Sequence, residues 1–151
     1  MAAFSMSTTV QAPIETVFRL AADFPNAAER VKGIKRVEML TPGPVGVGTR
    51  FKETREMMKR EATEEMEVTR FVEPKLYTLS CHSCGCLFES TIRCEPDAGG
   101  TKLTFDCNTK PLTWGAKLMW PLGWLMQGTV KKCIEQDMAD IKAAAEAAAK
   151  A

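Results

Sequence analysis

From Gly33 to Thr109 the chain is a succession of strand-like segments joined by very short links, and after Pro111 its pattern changes. The segments are Gly33 to Thr41, Thr49 to Met58, Glu61 to Phe71, Lys75 to Ser83, Cys86 to Glu95 and Thr101 to Thr109. Between them stand turn formers: Pro42-Gly43-Pro44 with Gly46 and Gly48, then Glu73-Pro74, Cys84-Gly85, and Asp97-Ala98-Gly99-Gly100. Short links place consecutive strands side by side, so this region reads as an antiparallel meander.

Two other patterns bracket the meander. Phe4 to Gln11 alternates weakly and reads as an edge strand. Pro13 then opens a short helix at its first position, with Ile14, Val17, Phe18 and Ala21 on one apolar face. Pro25 ends that helix, and Asn26 with Glu29 three residues on is the cap pattern of a second one. At the other end, Trp114 to Gln127 is strongly apolar and interrupted by Pro121 and Gly123. Thr129 to Lys150 is helical, with an Ala-rich end of high propensity. Val130, Cys133, Ile134, Asp137, Met138 and Ile141 share one face of it. No repeat and no domain boundary interrupts this order, so residues 1–151 are expected to form a single domain.

Charge narrows the function classes. Twenty Lys and Arg against 19 Asp and Glu leave a net charge of +1. That balance supplies no field for steering nucleic acid. The N-terminal residues lack a basic stretch followed by an apolar one, so no signal peptide is expected. No window approaches the 18 or so apolar residues of a membrane span. The six cysteines are then expected to be reduced thiols of a cytoplasmic protein.

The order of elements, with four local motifs, resembles the START-like (SRPBCC) superfamily, which includes the birch pollen allergen, lipid-transfer START domains and polyketide cyclase-like proteins. Val10-Gln11-Ala12-Pro13-Ile14-Glu15-Thr16-Val17-Phe18 is similar to the family's entry from strand to helix. Gly46-Val47-Gly48-Thr49-Arg50-Phe51 resembles its Gly-x-Gly-Thr turn. Val68-Thr69-Arg70-Phe71-Val72-Glu73-Pro74 resembles its acidic-Pro turn, and Gly99-Gly100-Thr101-Lys102-Leu103-Thr104 the hairpin before its last strand. The likeness runs from about Ser7 to Glu146. It implies an α+β helix-grip fold: a curved seven-stranded antiparallel sheet, two short helices, and a long C-terminal helix enclosing a cavity. The superfamily has no universal catalytic signature, so the likeness leaves the chemistry open.

Strand alternation assigns the inward face. Phe51, Glu53, Arg55 and Met57 are expected inside, as are Ala62, Glu64, Met66 and Val68 of the next strand. Tyr77, Leu79 and Cys81 follow, then Phe88, Ser90, Ile92 and Cys94, then Leu103, Phe105 and Cys107. All of these but Ala62, Val68, Cys94 and Cys107 are expected to bind ligand, together with Trp114, Met126, Val130, Ile134 and Met138. Such a lining, apolar with few polar groups, is that of a small-molecule site.

Two clusters carry candidate chemistry. Cys81-His82-Ser83-Cys84-Gly85-Cys86 holds four possible metal ligands, but Cys81 and His82 are adjacent on a strand and point to opposite faces. Buried small hydrophobes are the preferred reading, with no metal and no cofactor expected. Glu53, Arg55 and Glu64 are inward charges, costly unless paired. If Lys59-Arg60 is a two-residue hairpin loop, Arg55 faces Glu64 across the strands and offers a contact for an acidic or carbonyl-bearing ligand. By likeness to cyclases, Glu53 would be an acid/base, with Arg55 or Tyr77 polarising a carbonyl.

The expected function is therefore binding, and carrying, a hydrophobic small molecule such as a lipid or polyketide. The alternatives are a polyketide cyclase- or dehydratase-like enzyme using Glu53, and an adaptor that touches a membrane or a partner protein through Trp114 to Met126.

Overall fold

The computed structural model describes residues 2–150 apart from Met58 and Cys84, and describes no side chain at Ala2, Met57 or residues 120–127. Seven strands form one antiparallel sheet: β1 Ala2–Val10, β2 Ile34–Met39, β3 Arg50–Met57, β4 Arg60–Val72, β5 Leu76–Ser83, β6 Cys86–Asp97 and β7 Gly100–Pro111. Their order across the sheet is β1-β7-β6-β5-β4-β3-β2. Strands β1 and β2 follow one another in sequence yet lie at opposite edges. The segment between them must therefore cross the sheet, and it does so as α1 Ile14–Ala21, a 3-10 turn Phe24–Asn26, and α2 Ala27–Arg30. The chain closes with α3 Trp114–Leu118 and the long α4 Trp120–Lys150. This is the α+β helix-grip arrangement.

Local chemistry explains where the elements begin and end. Pro13 is extended (φ −61°, ψ 149°) and stands just before α1 rather than within it. The Asn26 side chain does not cap α2, because its amide donates to Asp23 at 3.1 Å. Helix α4 begins at Trp120 instead of Thr129. Pro121 does not prevent this, since it falls in the first turn, where a missing N–H leaves no bond unmade. Thr113 caps α3 through its Oγ1, which accepts from the Ala116 N–H at 3.1 Å. Gly85 (φ +73°) turns β5 into β6 directly beneath that cap, and a Cβ there would stand 2.5 Å from the Thr113 hydroxyl.

The β3–β4 hairpin differs from the sequence expectation by a register shift of two residues. Met57 pairs with Arg60, so Arg55 faces Ala62 and Glu53 faces Glu64. The turn places Lys59 at φ +64°. A shift of two keeps every side chain on its expected face, whereas a shift of one would have reversed them all. In β4 the pairing also slips between Val68 and Arg70, and the extra residue turns Phe71 inward after Val68.

The inward face is filled at the end crossed by α1 and the 3-10 turn. Val10, Val17, Phe18, Phe51, Val68 and Leu103 are almost wholly buried there. Phe24 stacks on Phe51 with centroids 4.7 Å apart, and Phe18 meets Phe71 and Tyr77 edge-on at 5.3 and 5.9 Å.

Candidate ligand site

Between the rest of that face and α4 the side chains do not fill the space, and a cavity of about 360 Å³ remains. Its wall is built from all three layers of the sequence pattern. The sheet contributes Met66, Leu79, Phe88, Ile92 and Phe105; α4 contributes Val130, Cys133, Ile134, Met138 and Ile141; and the α1–α2 crossing contributes Leu20, Ala21 and Phe24. Alternation places the strand residues there, and helical spacing places those of α4.

Most of the expected site residues stand on this wall: Glu53, Arg55, Glu64, Met66, Tyr77, Leu79, Cys81, Phe88, Ser90, Ile92, Phe105, Val130, Ile134 and Met138. Three do not. Phe51 and Leu103 face inward, but at the filled end, where Phe24 covers Phe51 and Leu103 packs in the core with Val17 and Phe18. Trp114 lies on the outer surface of α3, 82% exposed. The side chains of Met57 and Met126 fall outside the described residues.

One polar cluster breaks the apolar wall. Arg55 donates from Nε to Glu53 Oε1 at 2.7 Å, and from Nη1 and Nη2 to the two oxygens of Asp137 at 3.1 and 2.8 Å. Glu64, the residue expected to meet Arg55, is turned instead to β5. Its oxygens accept from the Cys81 thiol at 2.9 Å and the Ser83 hydroxyl at 3.1 Å. Asp137 supplies the partner that the strands alone did not reveal. Its signal in the sequence is a carboxylate within the apolar face Val130, Cys133, Ile134, Met138 and Ile141.

The environment sets how these groups ionise. Burial works against the Arg55 charge, but the Glu53 and Asp137 carboxylates outweigh it and hold the guanidinium firmly protonated. Burial raises the Asp137 carboxyl above its usual range, against the opposing pull of Arg55. Burial pushes the Cys81 thiol up to about 12, helped by its hydrogen bond to Glu64 and by that carboxylate's charge. A thiol held protonated is a donor and a poor nucleophile at neutral pH. Burial also raises the Tyr77 hydroxyl, which donates to the Ala21 carbonyl at 2.9 Å and so presents its ring, not a free proton, to the cavity.

His82 is exposed on the opposite face of β5 from Cys81. Among the described residues, no group of three His, Cys, Asp or Glu converges as a metal site would require. Cys84, the central residue of the Cys81–Cys86 cluster, lies outside the described residues. No described helix is long and apolar enough to cross a membrane.

Several solved structures share the fold. The protein TTHA0849 of Thermus thermophilus is 18% identical with a TM-score of 0.78, covering 97% of this chain and 99% of that one. The di-domain ARO/CYC StfQ from the steffimycin biosynthetic pathway is 12% identical with a TM-score of 0.81, and this chain, covered over 99%, spans 52% of it. Major latex-like protein 151 of Panax ginseng is 10% identical with a TM-score of 0.78, covering 95% and 97%. At these identities the likeness is one of fold. No curated protein matches the chain. The family model described as polyketide cyclase / dehydrase and lipid transport matches residues 1–146, and the chain belongs to that family.

Proposed function

We propose that the protein binds and carries an apolar small molecule, such as a lipid or polyketide, in the cavity between the sheet and α4. The observation that carries this reading is the cavity itself. Its volume of about 360 Å³ falls among small-molecule sites, roughly 300–1,000 Å³, and aromatic, aliphatic and thiol groups dominate its wall. The neutral fluorescent probe N-phenyl-1-naphthylamine should bind saturably, one per chain. Leu79→Trp, which places an indole in the cavity, should weaken that binding at least tenfold. Absence of saturable binding to the wild-type chain would remove the reading.

Turnover in the same cavity is the alternative for this family, with Glu53 as the acid/base. Glu53 faces the wall beside Arg55. The Tyr77 hydroxyl, committed to Ala21, contributes little to such chemistry. Glu53→Gln separates the two readings: it would abolish conversion of a polyketide substrate if the protein is an enzyme, and only alter affinity if it is a carrier.

A second reading rests on the surface of α3. Leu112, Trp114, Leu118 and Met119 are 47%, 82%, 80% and 56% exposed. Between Asp106 and Glu135 the sequence has no acidic residue and four lysines, Lys110, Lys117, Lys131 and Lys132. Exposed apolar side chains among lysines suit an anionic bilayer surface, which would let a carrier exchange its ligand there. The protein should sediment with phosphatidylcholine vesicles containing phosphatidylglycerol and less with vesicles lacking it. Trp114→Ala with Leu118→Ala should abolish sedimentation; no binding to either vesicle would discard this surface.

A further inference from the structure

The charges of the cavity wall specify which end groups a ligand can carry, and they do so against the expectation that Arg55 greets an acid. Three of the five N–H donors of the Arg55 guanidinium are already engaged by carboxylates, Nε by Glu53 and one on each Nη by Asp137. One cation thus stands between two carboxylates, and the group has an excess negative charge. Glu64 adds another, directly across the strand pair from Glu53. Like charges at directly opposed positions of a sheet repel. The partners of Glu64 are the neutral donors Cys81 and Ser83, so no described cation neutralises it.

The other cations near the wall do not change this balance. Arg30 reaches the cavity but pairs with Asp23 at 2.9 Å through Nη2, and its Nη1 is buried without a hydrogen-bond partner among the described residues. Lys131 lies over the ring of Phe4, 5.6 Å from its centroid, on the strand at the other edge of the sheet. Counting Glu53, Glu64 and Asp137 against Arg55, with Arg30 cancelled by Asp23, the wall carries two more negative charges than positive ones. Phe24, Phe88 and Phe105 also stand on the wall, and an aromatic ring attracts a cation to its face.

We propose that the cavity takes an apolar molecule whose polar end is a hydrogen-bond donor, a protonated amine before a hydroxyl, and rejects one that ends in a carboxylate. An ammonium placed between Glu53 and Glu64 would relieve their repulsion and receive acceptor lone pairs that the described side chains leave open. A carboxylate there would meet three like charges and a guanidinium already engaged by two carboxylates. This inference rests on the carrier reading and specifies its ligand.

The test is competition at neutral pH for the site filled by N-phenyl-1-naphthylamine, using dodecylamine, dodecanol and dodecanoate below their micelle concentrations. Dodecylamine should displace the probe at a concentration at least tenfold lower than dodecanoate, with dodecanol between them. Glu64→Gln, which keeps an acceptor for Cys81 and Ser83, should narrow the amine-to-acid ratio severalfold and shift dodecanol less than dodecylamine. If dodecanol displaces the probe while dodecanoate equals or surpasses dodecylamine, the charge assignment is overturned and the carrier reading stands. If none of the three displaces it, the charge assignment falls; if Leu79→Trp also leaves probe binding unchanged, the probe is not in the cavity and the carrier reading falls with it.

Discussion

One face of one sheet is filled at one end and hollow at the other. Under α1 and the 3-10 turn, Phe18, Phe24, Phe51, Phe71 and Tyr77 interlock with centroids about 5 to 6 Å apart. Under the α4 segment from Val130 to Ile141, Val, Cys, Ile and Met side chains face the sheet and leave about 360 Å³ open. Apolar strand residues stand at both ends, with Glu53, Arg55 and Glu64 added at the hollow one, and what covers them differs. Two phenyl rings descend from the crossing segment, whereas α4 spans the remaining width with shorter side chains and one carboxylate. Close packing is therefore concentrated at one end and open space at the other.

The comparison is broken most directly by truncation. Phe18→Ala removes a ring that is 1% exposed and should cost about 3–5 kcal/mol in urea unfolding, the range for a well-packed core. Leu79→Ala enlarges a space that is already open and should cost less than about 2 kcal/mol, because fewer contacts are lost. Equal losses would mean that the two ends are packed alike.

Removing the cation at the hollow end comes next. The Glu53, Arg55 and Asp137 side chains are 12%, 21% and 14% exposed. Arg55→Met would leave two carboxylates facing each other with little water and should cost roughly 3 kcal/mol. Adding Asp137→Leu to that variant should recover part of the loss. No recovery would show that the cost does not arise from the stranded charge.

A pH titration samples both ends at once. Cys94 at the filled end and Cys81 at the hollow end are both raised from 9.0 to about 12, Cys94 by burial alone and Cys81 by burial together with Glu64. In the unfolded chain these thiols release protons near pH 9, while the folded chain retains them. The stability they contribute is thus complete below about pH 9 and is lost as the pH rises toward 12. At pH 10 the loss should be about 1.4 kcal/mol per thiol. Cys94→Ala should flatten the slope of unfolding free energy between pH 9 and 11; an unchanged slope would contradict the assignment.

The smallest effect lies outside both regions. Lys59 adopts φ +64° in the β3–β4 turn. Lys59→Gly should raise stability by about 0.5–1 kcal/mol, because glycine takes that conformation without steric cost. A decrease would show that the turn does not hold Lys59 in this geometry.

The sequence carries the faces of this molecule better than its partners. Alternation is periodic, so Glu53, Arg55, Leu79 and Phe105 could be placed on the inward face from the sequence, and the two-residue hairpin shift left those placements intact. Pairing depends on the turn, and Lys59 in a left-handed conformation is invisible to a rule that seeks Gly, Asn or Asp. Hence the assumed two-residue loop sets Arg55 against Glu64, whereas Glu53 and Asp137 hold it. Which inward residues border a void depends on what covers them, and strand patterns hold no information about the cover. Alternation for that reason sets Phe51 and Leu103 on the cavity wall and gives no sign of Phe4 or Asp137, which stand there.

The central claim is that a ligand enters the hollow end and only that end. It is tested most directly by intermolecular nuclear Overhauser effects from the alkyl protons of bound dodecanol to the methyl groups of the labelled protein. Cross-peaks should appear to Leu79, Ile92, Ile134 and Ile141, and none to Val10, Val17 or Val68. Cross-peaks to the second set, or to surface methyls alone, would contradict the claim.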